Sequence, residues 1–229
     1  MESRISLTHV KPTDLHLDAV PRETKRAFLR LVNESILSRG WYLAGGTALT
    51  LQVGHRRSVD LDFFLPKQHF QENALEGKLL ATGEWKTTLR QEGTIYGVFM
   101  GAKMSCIAYP FFHPSNKQIV CGAVRMLIPE DIAAMKIIAI SQRGKKRDFI
   151  DLYWYCHNRE SLQVVVKRAF KGYPGQSQNA THILKSLTFF DDADNDPMPD
   201  MYFSVSWKHI KAYFQKMTLE ITKEILEIT

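Results

Sequence analysis

Two carboxylates stand out first. In Val59-Asp60-Leu61-Asp62-Phe63 acids and apolar residues alternate, the pattern of a strand. Residues i and i+2 of a strand share a face, so Asp60 and Asp62 lie roughly 6.6 Å apart along it. At that separation they can share one or two Mg²⁺ ions, hard cations that take oxygen ligands and complete their shell with water and substrate phosphate. An edge strand with an acidic solvent face would show the same alternation, so the pair alone decides little. Gly45-Gly46-Thr47 lies just upstream, between the apolar run Trp41-Tyr42-Leu43-Ala44 and a short helix expected over 48–53. Such a turn lets backbone N–H groups and a helix start approach a phosphate, with the Thr47 hydroxyl as a further donor. A glycine turn that feeds through a short helix into D-x-D is an arrangement for a metal and a triphosphate. No G-x-x-x-x-G-K-[ST], G-x-G-x-x-G or G-x-S-x-G occurs to compete with it.

Further along, Lys136 interrupts the apolar stretch Ile132 to Ile140. A lysine there is either buried and paired, snorkelling to solvent, or aimed at an anion. Asp148 and Asp151 are i, i+3 neighbours at the start of the next expected helix and face one side of it. Before them Arg143, Lys145, Lys146 and Arg147 put four cations in five positions, either a solvated turn or a surface for an anion such as RNA or triphosphate. The remaining candidates are weaker. The histidines form no zinc motif, and the acids between Asp191 and Asp200 read as a solvated loop.

The elements that must position these groups fall into two halves. Helices are expected over 23–39 (closed by Gly40) and 68–81, with strands at 41–44 and 59–63. Three or four antiparallel strands follow, at about 85–91, 94–100, 103–110 and 118–126. From Pro129 the pattern is helical: 129–142, 148–156, 161–171, 178–187 and a last helix on which Trp207, Ile210, Phe214, Met217, Ile221 and Ile225 keep a three-and-four spacing. The fold class is α/β (α+β), with an α/β core at 1–127 and a helical region at 128–229. The 229 residues carry 30 Lys plus Arg against 24 Asp plus Glu, a net charge of +6, with 45% hydrophobic residues. That excludes a disordered chain and permits, without demanding, a nucleic-acid partner. Three scattered cysteines argue against a disulfide framework, and the absence of a signal-peptide core or membrane-length apolar run points to the cytoplasm with no membrane partner.

Gly45-Gly46-Thr47-Ala48-Leu49, His55-Arg56-Arg57-Ser58-x-Asp60-x-Asp62-Phe63, Lys136 and Arg147-Asp148-x-x-Asp151-Leu152, in this order, resemble the AbiEii/AbiGii toxin family of nucleotidyltransferases, to which the MenT toxins belong. The similarity runs from about residue 25 into the last helix and includes Ser105-x-x-Ala108-Tyr109-Pro110. The resemblance implies a polymerase-β-like nucleotidyltransferase core, a mixed sheet with flanking helices, followed by a helical region that completes the active site. It implies a nucleoside triphosphate donor with Mg²⁺ or Mn²⁺. Asp60 and Asp62 would hold the metal. Gly45, Gly46, Thr47 and Ser58 would cradle the triphosphate, Lys136 would contact phosphate, and Asp151 with Asp148 would complete the catalytic set. The acceptor it implies is tRNA or another RNA, met by Arg56, Arg57, Arg143, Lys145, Lys146 and Arg147, in the toxin of a pair with a cognate antitoxin.

One departure is visible. The wider fold supplies a third carboxylate from a neighbouring strand, whereas the matching strand, Lys103 to Tyr109, carries none, and Gly46 stands where many members have serine. Either Asp151 or Asp148 supplies the general base from the helical half, or activity is weak or altered. Two other readings therefore stay open: a nucleotidyltransferase with a small-molecule or protein acceptor, and an inactive protein that binds nucleotide or a partner.

Overall fold

The computed structural model describes residues 5–227. Residues 1–4 of the expected core, and the side chain of Ile225 at the end of the last helical pattern, lie outside the described set. The chain divides into two compact units, Met1–Ile128 and Pro129–Thr229.

The first unit is built on one mixed sheet in the order β1-β7-β8-β2-β3-β6-β5-β4. Its strands are β1 (Ser6–His9), β2 (Tyr42–Ala44), β3 (Leu61–Leu65), β4 (Trp85–Gln91), β5 (Thr94–Phe99), β6 (Ala102–Ala108), β7 (Lys117–Cys121) and β8 (Val124–Leu127). Three helices flank them: α1 (Arg22–Asn33), α2 (Gly45–Val53) and α3 (Glu72–Leu80). On β3 the alternation does what it implies: Leu61, Phe63 and Leu65 are buried while Asp62 and Phe64 are partly exposed. The strand starts two residues later than expected, so Asp60 sits at its threshold and Val59 lies exposed rather than in the core.

Three other expectations give way to tertiary contacts. Helix α1 ends at Asn33 instead of 39, and Gly40 caps nothing. The Val32 carbonyl, which an extended helix would offer to residue 36, accepts instead from the backbone N–H of Ala123 at the β7–β8 turn, 2.8 Å away. That turn fits because Gly122 (φ +55) has no Cβ to collide with the same carbonyl. It also splits the single strand expected at 118–126 into the hairpin β7–β8. Strand β1 was not legible, since all four residues are exposed and show no alternation; it is held by parallel pairing to β7.

The second unit is helical: α4 (Pro129–Arg143), α5 (Lys146–Asn158), α6 (Leu162–Gly172), α7 (Ala180–Ser186), the single turn α8 (Asp191–Asp194) and α9 (Trp207–Glu227). Helix α4 is buried on nearly every side, the signature of a central helix rather than an amphipathic one. Phe149 of α5 is a hub whose ring meets those of Phe190, Trp207 and Phe214 at 5.2, 5.8 and 5.3 Å. On α9, Ile210, Phe214 and Ile221 are buried, as their spacing requires. Among the described residues no helix is long and apolar enough to cross a membrane.

Candidate active site

Pairing places Asp62 between two particular neighbours. Antiparallel β2 sets Ala44 beside it, and parallel β6 sets Ser105 on its other side. Ala44 leads directly into α2, whose first residues are Gly45, Gly46 and Thr47. The glycines are therefore the first turn of the helix rather than a turn before it, and the helix's unpaired N–H groups emerge one strand from the carboxylate. Gly45 has φ +73, and a Cβ there would stand 3.3 Å from Asp62 Oδ2. Replacing it by alanine is expected to cost about 1–2 kcal/mol of stability, because a side chain is strained at positive φ. That change would also crowd the carboxylate; a thermal melt together with a Mn²⁺ titration checks both effects.

At position 46 a Cβ would collide with the Arg56 guanidinium, itself buried against this turn, with Nη1 donating to the Arg57 carbonyl at 2.8 Å. The missing side chain at 46 leaves the space that this guanidinium occupies. The segment leading into β3 is clamped from two directions. Thr47 Oγ donates to Ser58 Oγ at 2.9 Å and Thr50 Oγ to the Arg56 carbonyl at 3.1 Å, both from α2. From α1, Thr24 Oγ donates to the Val59 carbonyl at 2.7 Å. Asp60 thus follows a segment with little freedom.

On the other flank Ser105 Oγ donates to Asp62 Oδ1 at 2.7 Å, fixing the carboxylate's rotation. The strand next to the D-x-D is β6, and the residue at the register position of Asp62 is a hydroxyl, not an acid. Among the described residues no group of three or more His, Cys, Asp or Glu side chains is placed to hold a metal. Cys106, on the opposite face of β6, contributes no nucleophile: burial, with the Asp62 charge adding, pushes its thiol far above the ordinary range. A cavity of about 330 Å³ opens beside Asp60 and Asp62 and continues over β6 and β5.

The second unit holds its own charged cluster. Lys136 is buried, and its Nζ lies 2.6 Å from Asp148 Oδ1 and 2.6 Å from Asp151 Oδ2, both carboxylates fully buried. Of the alternatives open in the sequence, buried and paired is the one realised. Arg143 Nε reaches Asp148 Oδ2 at 2.9 Å. Burial alone would raise the Asp148 carboxyl; the Lys136 and Arg143 charges and their hydrogen bonds outweigh it and hold the group below the usual carboxylate range.

The basic turn pairs with the acidic 191–200 stretch. Asp196 takes the Lys146 backbone N–H at 3.1 Å and the Lys145 ammonium at 3.3 Å. Lys146 Nζ donates to the Asp196 carbonyl and lies 5.3 Å from the centroid of the Trp207 ring. Asp194 binds Lys211 at 3.0 Å, and Trp207 Nε1 donates to it. The stretch expected to be a solvated loop is a short helix and turn that neutralises the lysines, a pairing separated by about fifty residues in sequence. Of the six cations grouped as an RNA surface, Arg56 and Lys146 are buried; Arg57, Arg143, Lys145 and Arg147 lie on the surface.

Sequence comparison supplies the family. A family profile described as "Nucleotidyl transferase AbiEii toxin, Type IV TA system" matches residues 26–99 and 121–223. An uncharacterized protein of Aquifex aeolicus (strain VF5) is 29% identical over 206 residues, 87% of this chain and 96% of that protein. Two solved structures share the fold. One is MenT4, a nucleotidyltransferase toxin of Mycobacterium tuberculosis H37Rv, with 14% identity, TM-score 0.52 and coverage of 88% of this chain and 86% of that one. The other, assigned as a nucleotidyltransferase from H. pylori, has 14% identity, TM-score 0.50 and coverage of 91% and 99%. The sheet, the helix-started glycine turn beside the D-x-D and the matched residues agree: this chain belongs to the AbiEii family of nucleotidyltransferase toxins.

Proposed function

We propose that the chain moves a nucleotidyl group from a nucleoside triphosphate to a hydroxyl of tRNA, with Mg²⁺ or Mn²⁺ held by Asp60 and Asp62. We further propose that it is the toxin of a toxin–antitoxin pair, acting in the cytoplasm with a cognate antitoxin as its protein partner. The observation that carries the reading is the Ala44–Asp62 register, which puts a carboxylate one strand from the first turn of α2.

The donor set suits a hard divalent cation: the carboxylates of Asp60, just before β3, and Asp62, on it, line the same cavity, and the absent Cβ of Gly45 leaves room at Asp62 Oδ2. Such a cation, when bound, supplies positive charge where phosphate oxygens gather negative charge. The chain's own groups do the rest. Backbone N–H groups of Gly45 and Gly46 hold phosphate oxygens at the helix start, and Thr47 and Ser58 brace the strand that carries the acids. Asp60 and Asp62 fix the line along which the attacking oxygen and the leaving group lie, since phosphoryl transfer depends mainly on positioning and charge neutralisation. Lys136, Asp148 and Asp151 are assigned to the same activity as a rigid charged set. Arg57, Arg143, Lys145 and Arg147 are the cations assigned to RNA phosphates.

The experiment supplies the full chain with Mg²⁺, total tRNA, cell extract and each of the four α-labelled triphosphates in turn. Label entering tRNA, and lost on chelation, is the expected result. Label confined to a protein or a small molecule overturns the RNA acceptor.

A further inference from the structure

Beyond the aspartates, on the side away from α2, the sheet presents a row that the reaction scheme leaves unused. Across it the register runs Asp62, Ser105, Tyr96, on β3, β6 and β5. Lys103 shares the Ser105 face of β6, and Val98 shares the Tyr96 face of β5, because i and i+2 point alike. Together with Thr88 these residues line the cavity of about 330 Å³ that reaches Asp60 and Asp62.

Two of them are unusual for a sheet face. Tyr96 is 39% exposed and, among the described residues, has no ring partner; Lys103 is exposed and has no acid partner among them. Elsewhere among the described residues many large aromatics meet one another, mostly edge-on, and several cations meet acids. A bare aromatic platform beside an uncommitted cation is the combination that holds a single-stranded nucleic acid, the ring under a base and the ammonium on the backbone. Tyr96 lies two strands from Asp62, about 10 Å at ordinary strand spacing, which is the scale of one nucleoside.

Direction decides which substrate belongs here. Anionic phosphates are drawn to the start of α2, on the β2 side of Asp62. In an in-line displacement the attacking oxygen arrives opposite the leaving group, which is the β6 side. We infer that the cavity over β6 and β5 is the acceptor subsite: the terminal nucleoside of a single-stranded RNA end stacks on Tyr96, Lys103 holds its backbone phosphate, and its hydroxyl points toward Asp60 and Asp62. This rests on the transferase reading above and adds residues to it.

The test measures two quantities on the full chain, its Tyr96→Ala, Tyr96→Phe and Lys103→Ala variants, with thermal melts as a folding control. The first is binding of a fluorescent single-stranded RNA oligonucleotide without donor. The second is KM for tRNA and for triphosphate separately. Tyr96→Ala is expected to weaken oligonucleotide binding and raise the tRNA KM by about tenfold or more, with Tyr96→Phe restoring both and the triphosphate KM unmoved. Lys103→Ala is expected to lower the slope of log affinity against log salt by about one. A rise in the triphosphate KM instead would assign the cavity to the donor base and overturn the inference. Wild-type binding and KM in both alanine variants would also overturn it, while leaving RNA transfer standing. Tyr96-dependent oligonucleotide binding without any label transfer would sustain the subsite and sink the transferase reading. A chain that neither binds nor labels RNA loses both.

Discussion

Asp62→Asn is expected to reduce nucleotidyl transfer by roughly a thousandfold or more, the upper scale for removing one charge-stabilising group from an enzyme site. The fold is expected to survive. The amide keeps an oxygen that can accept from Ser105 Oγ, the side chain is only partly buried, and neither Leu61 nor Phe63 is disturbed. What disappears is one of two negative charges, and with it half of the hard-donor pair. Asp60→Ala is expected to match it in rate. The decisive comparison sets transfer rate beside Mn²⁺ affinity and melting temperature: a rate within tenfold of wild type, or a loss of rate explained by unfolding, would remove Asp62 from the metal site. Changes at Gly45 act more gently, because they strain the cradle without removing charge.

Lys136→Met is expected to give the largest loss of stability, about 3–5 kcal/mol, the usual penalty for deleting one partner of a buried ion pair. The reason is what remains. Asp148 and Asp151 are fully buried, and the ammonium that touches both is then gone, while Arg143 still faces Asp148. The pH dependence has a definite sign. In the wild type the Asp148 carboxyl is held below its unfolded value, so its contribution is present above the ordinary carboxylate range and is lost as pH falls through the folded value. In Lys136→Met the Asp148 carboxyl loses its main counter-charge and its folded value rises. The penalty is then full near neutral pH and shrinks as acid protonates that group. Urea unfolding at pH 7.5 and 5 reads the difference between the chains. An equal penalty at both values would mean the carboxylates are not what the lysine compensates. Adding Asp148→Asn and Asp151→Asn to Lys136→Met is expected to recover much of the loss near neutral pH.

Local pattern carried much of the fold. The β3 alternation, the β4 to β6 strands, the α2 cap at Gly54 (φ +62) and the long α9 stripe follow from side-chain period and from glycine's tolerance of left-handed backbone. The fold was misread where a distant segment intervenes. Helix α1 stops early because the β7–β8 turn takes its Val32 carbonyl, and β1 exists only because β7 offers an edge. Neither event leaves a periodic trace in the residues concerned.

The site divides the same way. The sequence by itself determined which residue types could hold a metal and a phosphate, because D-x-D on a strand and glycines before a helix are one-dimensional patterns. Their placement came only from tertiary structure, since strand pairing, not sequence distance, decides what lies beside a carboxylate: Ala44 on one side of Asp62, Ser105 and then Tyr96 on the other. Arg56 turns inward because Gly46 leaves it space, and Lys146 and Lys145 are met by Asp196, fifty residues away. A cluster of cations in sequence announces charge. Whether that charge faces solvent or an internal acid depends on which segments pack together, because burial of an unpaired ion is too costly for the fold to leave it uncompensated.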